Sequence, residues 1–280
     1  MPQTDVVTED GCRLWTERTG TGDPVVLCHG GPGLADYLGP VAALLDGHTH
    51  VVRWDQRGCG RSERTGPYTI DRFTGDLDQV IDSVSDGPVV LLGHSWGASL
   101  ALFYALSLPH RVRALIYVSG VGTGQGWKEQ WHANVAARRD EPATARLADL
   151  EGRERTEAED RELAVLSWTV DFAVPETARR RAEELATPWF PINWECNRAL
   201  GAEVRRLDES GLLARCGRLA VPTLILDGAQ DPRPRDAVDP LFRALPRVHR
   251  VTFPSAGHLP WIEEPEAFAR ALRTYLAELP

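Results

Sequence analysis

The stretch that most constrains this chain runs from Pro88 to Ala105. An apolar run, Pro88-Val89-Val90-Leu91-Leu92, leads into Gly93-His94-Ser95-Trp96-Gly97. Then comes Ala98-Ser99-Leu100-Ala101-Leu102-Phe103-Tyr104-Ala105, a good helix-forming stretch. A continuous apolar run of this length suits a strand buried on both faces. A serine flanked by glycines between such a strand and a helix reads as a nucleophile elbow. The serine backbone in that turn is strained and crowded, so a Cβ at either flank would clash. The turn lifts the Ser95 hydroxyl out of the sheet, and the helix N-terminus faces developing negative charge.

The rest of the chain repeats the alternation. Two short strands, around Val6-Val7 and Leu14-Trp15-Thr16, flank the Asp10-Gly11 turn signal. Pro24–Cys28, His50–Trp54 and Val112–Val118 read as further buried strands. Helices are expected over Leu38–Leu45 and Thr69–Val84. In the second, Phe73, Leu77, Val80, Ile81 and Val84 recur three or four apart. Strand, helix, strand, helix over residues 24–118 predicts an α/β fold: a mostly parallel central sheet with helices on both faces. The pattern stops at Ser119. Residues 120–217 hold no convincing strand and read as a helical insertion with helices near Trp127–Arg139 and Glu157–Val170. The insertion carries the aromatic anchors Trp168, Phe172, Trp189, Phe190 and Trp194. Packed over the C-terminal edge of the sheet, it would form a cap. Strands at Val221–Gly228 and His249–Phe253 and helices at Pro240–Leu245 and Pro265–Leu279 resume the alternation. The domains expected are thus a core of 1–119 and 218–280 and an inserted cap of 120–217.

Composition removes several function classes. A net charge of −9 with scattered arginines argues against nucleic acid and anionic membranes as partners. No run of about 20 apolar residues offers a membrane span. Residues 1–5 show no leader pattern, so a cytoplasmic location is expected. Cys12, Cys28, Cys59, Cys196 and Cys216 are odd in number and widely spaced, which reads as free thiols. The histidines form no ligand cluster, so neither a metal nor another cofactor is expected. Monomer and small homo-oligomer both stay open.

In open α/β sheets functional groups gather where strands end. Ser95, Asp231 and His258 follow three separate strands in the order serine, acid, histidine, as the elbow requires. His258 would act as general base and then general acid, with Asp231 holding its tautomer. Asp227 is the rival acid, set too early to reach. The oxyanion donors would be backbone N–H groups of Trp96 and of the His29-Gly30-Gly31 loop, at Gly31. His29 reads as a loop organiser rather than a base. The substrate expected is a small peptide or a small-molecule ester or amide.

His29-Gly30-Gly31-Pro32-Gly33, Asp55-Gln56-Arg57-Gly58-Cys59-Gly60-Arg61-Ser62, the elbow with Ser99-Leu100-Ala101-Leu102, and Ala256-Gly257-His258 together resemble the α/β-hydrolase superfamily. More narrowly, they resemble the proline iminopeptidase family of serine peptidases. The resemblance implies a triad of Ser95, Asp231 and His258, oxyanion donors at Gly31 and Trp96, and release of an unblocked N-terminal residue from small peptides. In that family a cap glutamate binds the cationic amine, and Glu195 looks most like it; Trp194 beside it and Gly30 of the His29-Gly30-Gly31 loop are the other expected substrate contacts. Asp171 and Glu203 are weaker candidates. Where an acid would follow the triad aspartate, this chain has Pro232-Arg233-Pro234-Arg235, whose arginines would repel an ammonium if they faced inward. The alternative reading is an esterase, lactonase or amide hydrolase acting on a small secondary metabolite. It would show as an apolar or arginine-lined pocket with no inward carboxylate. A non-catalytic binding scaffold is the third class.

Overall fold

The computed structural model describes residues 5–45, 47 and 49–279. Residues 1–4, on which most of the leader reading falls, lie outside it. In chain order the first half comprises β1 (Val6–Val7), β2 (Arg13–Leu14), β3 (Thr16–Thr19), β4 (Pro24–Cys28), α1 (Gly39–Leu45), β5 (His50–Trp54), α2 (Ile70–Asp82), β6 (Val89–His94), α3 (Trp96–Ser107) and β7 (Val112–Val118). Then come α4 (Lys128–Arg138), α5 (Glu141–Glu151), α6 (Glu157–Trp168), α7 (Pro175–Leu185), α8 (Trp194–Val204) and α9 (Glu209–Cys216). The chain closes with β8 (Thr223–Gly228), α10 (Asp239–Ala244), β9 (Val248–Phe253), α11 (Pro260–Glu263) and α12 (Pro265–Ala277).

Seven strands form one sheet in the order β3-β5-β4-β6-β7-β8-β9. All neighbours are parallel except β3, which runs antiparallel on β5. Strands β4, β6 and β7 are mainly apolar because helices cover both faces. Val26, Leu91 and Leu115 face the side packed by α2 and α3. Val25, Leu92 and Ile116 face α1 and α12. Helix α2 shows how local sequence fixes an element: Thr69 caps it by accepting from the Arg72 N–H at 3.2 Å, and Phe73, Leu77, Val80 and Ile81 form its buried stripe. Burying each such side chain contributes about 1.5–3 kcal/mol.

One expected strand is split. Leu14 ends the small β1–β2 hairpin, whereas Thr16 starts β3 on the main sheet. Between them, buried Trp15 donates its N–H to Ser62 Oγ at 2.9 Å, so the chain changes partner there. Between β7 and β8 the described residues form helices and no strand. The sheet branches at β4: β5 lies on one side of it and β6 on the other. That is the switch point beyond which open α/β sheets present their ligand crevice.

Candidate active site

Ser95 sits between β6 and α3 with φ of 55°, an unusual conformation for a residue with a side chain. Such strain costs on the order of 1–3 kcal/mol and is held by its surroundings. Its N–H donates to the Val118 carbonyl at 2.9 Å. A Cβ on Gly93 would lie 2.1 Å from the Gly97 carbonyl oxygen, and one on Gly97 would lie 2.0 Å from the Cys28 carbonyl oxygen. The two glycines therefore let β6, α3 and the end of β4 close around the serine.

His258 follows β9 and Asp231 follows β8. His258 Nδ1 and Asp231 Oδ2 are 2.6 Å apart, both largely buried. Asp231 Oδ1 accepts from the Arg233 N–H at 2.9 Å and from Arg233 Nη1 at 3.3 Å. Burial alone would raise the Asp231 pKa. The neighbouring imidazole and guanidinium outweigh it and hold the carboxyl at about 2. Ser95 and His258 line the same cavity. Asp227, the rival acid, is engaged by Arg250 on β9, and Asp231 is the carboxylate that meets the histidine.

The neighbouring His94 is part of a directed chain of hydrogen bonds. The Gly30 N–H donates to Tyr37 Oη at 2.9 Å, Tyr37 Oη lies 2.6 Å from His94 Nδ1, and His94 Nε2 lies 2.9 Å from the His258 carbonyl oxygen. A carbonyl only accepts, so His94 carries its proton on Nε2 and accepts at Nδ1 the hydrogen bond that the Tyr37 hydroxyl donates. Full burial, with the His258 ring next in weight, pushes the His94 pKa far below its usual range. The imidazole is also packed edge-on against Trp261, with ring centres 4.6 Å apart.

Gly31 lines the cavity. Trp96 opens α3, so its N–H has no acceptor within the helix. The loop carrying Gly31 is braced from Asp55-Gln56-Arg57. The Gln56 N–H donates to His29 Nε2 at 3.0 Å, and Gln56 Nε2 donates to the His29 carbonyl at 2.7 Å. The Trp96 indole donates to Gln56 Oε1 at 2.8 Å. His29 thus organises the loop, as its sequence position suggested. Arg57 is buried and bound to both Asp76 and Asp10.

Two expected substrate contacts are corrected. Glu195 is exposed and does not line the cavity. Cys196 and Leu200 form the buried face of α8, and Glu195 lies about 100° around the helix from Cys196. Gly30 packs against Ser95 but is not among the lining residues, and its N–H is engaged by Tyr37 rather than left for a substrate. Trp194 does line the cavity, 38% exposed. Glu203 is turned to the start of α2, accepting from the Ile70 N–H at 2.8 Å.

The cavity has a volume of about 780 Å³. Its walls are mainly apolar, with Trp168, Trp189, Phe190 and Ile192 from the helical segment and Leu34 and Trp261 from the core. The lining carboxylates, among the described residues, are Asp36, Asp171 and Glu184. Each already faces a guanidinium: Asp36 pairs with Arg53, Asp171 with Arg233 at 2.7 Å, and Glu184 with Arg180 at 2.6 Å. Arg53, Arg61, Arg181 and Arg233 themselves line the cavity. Tyr37, Trp261 and the inward role of Arg233 were not legible beforehand, since no local pattern marks them. No group of three or more candidate metal ligands occurs among the described residues. No described helix is long and apolar enough to cross a membrane.

A profile described as the alpha/beta hydrolase family matches residues 25–271. The chain belongs to the α/β-hydrolase family. Among the relatives of this α/β-hydrolase is a proline iminopeptidase of Heyndrickxia coagulans, 27% identical, the alignment covering 93% of this chain and 92% of the relative. A putative carbamate hydrolase, RutD, of Enterobacter cloacae is 31% identical over 91% of each chain. A thermophilic esterase from Thermogutta terrifontis has a solved structure that superimposes with a TM-score of 0.75 at 24% identity, covering 100% of this chain and 99% of that one. The α/β-hydrolase fold, the central parallel sheet and the likeness to proline iminopeptidases expected from the sequence all stand.

Proposed function

We propose that this α/β-hydrolase is a serine hydrolase that cleaves a small, largely apolar ester, lactone or amide without requiring a free amine. Ser95 attacks the acyl carbon while His258 Nε2 takes its proton. Asp231 fixes the tautomer with Nδ1 protonated and stabilises the imidazolium. The N–H groups of Gly31 and Trp96 receive the oxyanion. His258 then protonates the leaving group, and water releases the acyl group by the reverse sequence. Residues 120–217 act as the cap that excludes bulk water from these steps. Five buried free thiols support a reducing, cytoplasmic setting.

The observation that carries the substrate reading is the charge pattern of the cavity. Its carboxylates are all paired, four arginines line it, and its walls are aromatic. The arginines are engaged by those and other carboxylates, so an ammonium entering the cavity would find no carboxylate free to neutralise it and would lose its hydration without compensation. Release of an unblocked N-terminal residue is the second reading. The proline iminopeptidase relatives favour it, as does Asp171, a cap carboxylate that reaches the cavity.

The test compares p-nitrophenyl esters with proline and alanine anilides, each anilide free and N-blocked. Esters and blocked anilides are expected to turn over at least as well as free-amine substrates. A preference of tenfold or more for free amines overturns the substrate reading. Ser95→Ala is expected to abolish fluorophosphonate labelling and to lower kcat by about 10⁴-fold or more.

A further inference from the structure

The helical segment does more than roof the cavity: it grips both the acid loop and the histidine loop. Asn134 Nδ2 on α4 donates to the Pro232 carbonyl at 2.9 Å, and Arg138 Nη2 donates to the Gln230 carbonyl at 2.5 Å. Arg138 Nη1 donates to the Val170 carbonyl at 2.8 Å, fixing the turn Thr169–Asp171 beside it. From that turn, Asp171 reaches in two directions. Its Oδ1 accepts from Arg233 Nη1 at 2.7 Å, and its backbone carbonyl accepts from the His258 N–H at 2.7 Å. Glu263 completes the arrangement, accepting from the Gly257 and Ala173 N–H groups and from Arg181 on α7. Among the described residues, Arg233 is the side chain that touches both the cap carboxylate Asp171 and the acid Asp231.

We infer that Arg233 is a positioning residue and that the Arg233–Asp171 pair is a latch through which the seating of the helical segment sets the acid–base geometry. Asp231 has two oxygens: the imidazole takes one and Arg233 takes the other, so the carboxylate cannot rotate away. Asp171 in turn holds the guanidinium against it. A cap that lifts would pull Asp171 from Arg233 and from the His258 N–H in one movement, leaving the acid–base pair without its outer support. Chemistry and closure are thus linked through Asp171, by its ion pair with Arg233 and by its carbonyl's bond from the His258 N–H. The inference rests on the serine-hydrolase reading and adds a residue that this reading does not need. The ionisable groups facing the latch are Asp171, Asp231 and His258, with buried His94 and Tyr37 behind them. Asp227 acts on Asp231 from β8, and Arg139 acts on Asp171 from the end of α4.

The experiment uses the full chain and four variants: Arg233→Gln, Arg233→Lys, Asp171→Asn and the double Arg233→Gln/Asp171→Asn. On an uncharged p-nitrophenyl ester, both single neutral variants are expected to lower kcat by about 10- to 100-fold with little change in KM, since a small misplacement of reacting groups has that effect. The double variant is expected to be no worse than the worse single one, because one link is broken in each. The pH–rate profiles separate a latch from mere structural damage. Losing the cation beside Asp231 moves the acid limb to higher pH, whereas losing the anion facing Arg233 moves it to lower pH. Arg233→Lys restores the limb toward the wild-type position. Hydrogen exchange supplies a readout independent of activity: the His258 amide is expected to exchange faster in Arg233→Gln and Asp171→Asn than in wild type. Limbs that shift in the same direction, an unchanged His258 amide, or a loss in Asp171→Asn confined to free-amine substrates would each overturn the latch. A wild type inert to esters and to fluorophosphonate refutes the hydrolase reading instead, and the exchange result then decides the latch by itself.

Discussion

Replacing His94 with glutamine should remove a specific acid sensitivity from this fold. His94 is 1% exposed, neutral and wedged between Tyr37 and the His258 carbonyl. Burial holds its folded-state pKa well below the ordinary 6.5. In the unfolded chain the same imidazole takes up a proton as the pH falls through about 6.5. The unfolded state then binds more protons than the folded one, so stability must fall with falling pH. While the folded imidazole stays neutral, each pH unit costs about 1.4 kcal/mol. Over the roughly 1.5 units from pH 6.5 down to pH 5 this comes to about 2 kcal/mol, a substantial part of a typical 5–15 kcal/mol. Buried Asp36, Asp76 and Asp227 have raised pKa values and act with the opposite sign. Buried His29 acts with the same sign as His94. These groups are common to wild type and variant and cancel in the difference. The assay is urea denaturation of both proteins at several pH values from 7.5 to 5. His94→Gln is expected to start about 1–3 kcal/mol less stable, because the amide oxygen and N–H of glutamine, both on Cδ, do not occupy the Nδ1 and Nε2 positions of the ring together. The gap should then narrow by about 2 kcal/mol toward pH 5. Parallel stability curves across that window would refute the buried neutral imidazole.

Three further outcomes are expected. Arg57→Met strands Asp76 in the core and should cost about 3–5 kcal/mol in urea denaturation. The double variant Arg57→Met/Asp76→Leu should recover most of that loss, and no recovery would mean that the pair is not the unit. Gly97→Ala forces a Cβ to within 2.0 Å of the Cys28 carbonyl oxygen, so soluble, folded protein is not expected from an expression and circular-dichroism test. Glu195→Gln should leave kcat/KM on free-amine anilides unchanged within about twofold, as for an exposed side chain away from the cavity. A large selective loss there would return Glu195 to amine binding.

The strands were legible because a sheet covered on both faces leaves continuous apolar runs. Pro24–Cys28, His50–Trp54 and Val112–Val118 have the bounds expected from the sequence. The elbow was legible because Gly93 and Gly97 answer to close backbone contacts that tolerate no side chain. The helical segment was harder. Helix α7, with its Arg179-Arg180-Arg181 run, buries only Ala178 and Ala182, so its apolar stripe is too thin to stand out. Glu195 was misread because a residue's neighbours in sequence say little about its helix face. The buried pair Cys196 and Leu200 held that information at i, i+4 spacing. Arg233 illustrates a different gap. From the chain alone it could only repel or be solvated. Its partner Asp171 is 62 residues away and comes from the inserted segment.

The position of that segment has a consequence for how such a molecule can change. It leaves the sheet after β7 and returns at β8, and these two strands are hydrogen-bonded neighbours. Adjacent parallel strands lie only about 5 Å apart. A replacement excursion of another length or shape could thus be spliced in without disturbing the register of the sheet. It would inherit the serine and its glycine-lined turn intact, but it would need its own counterpart of Asp171 before the transplanted machinery could run.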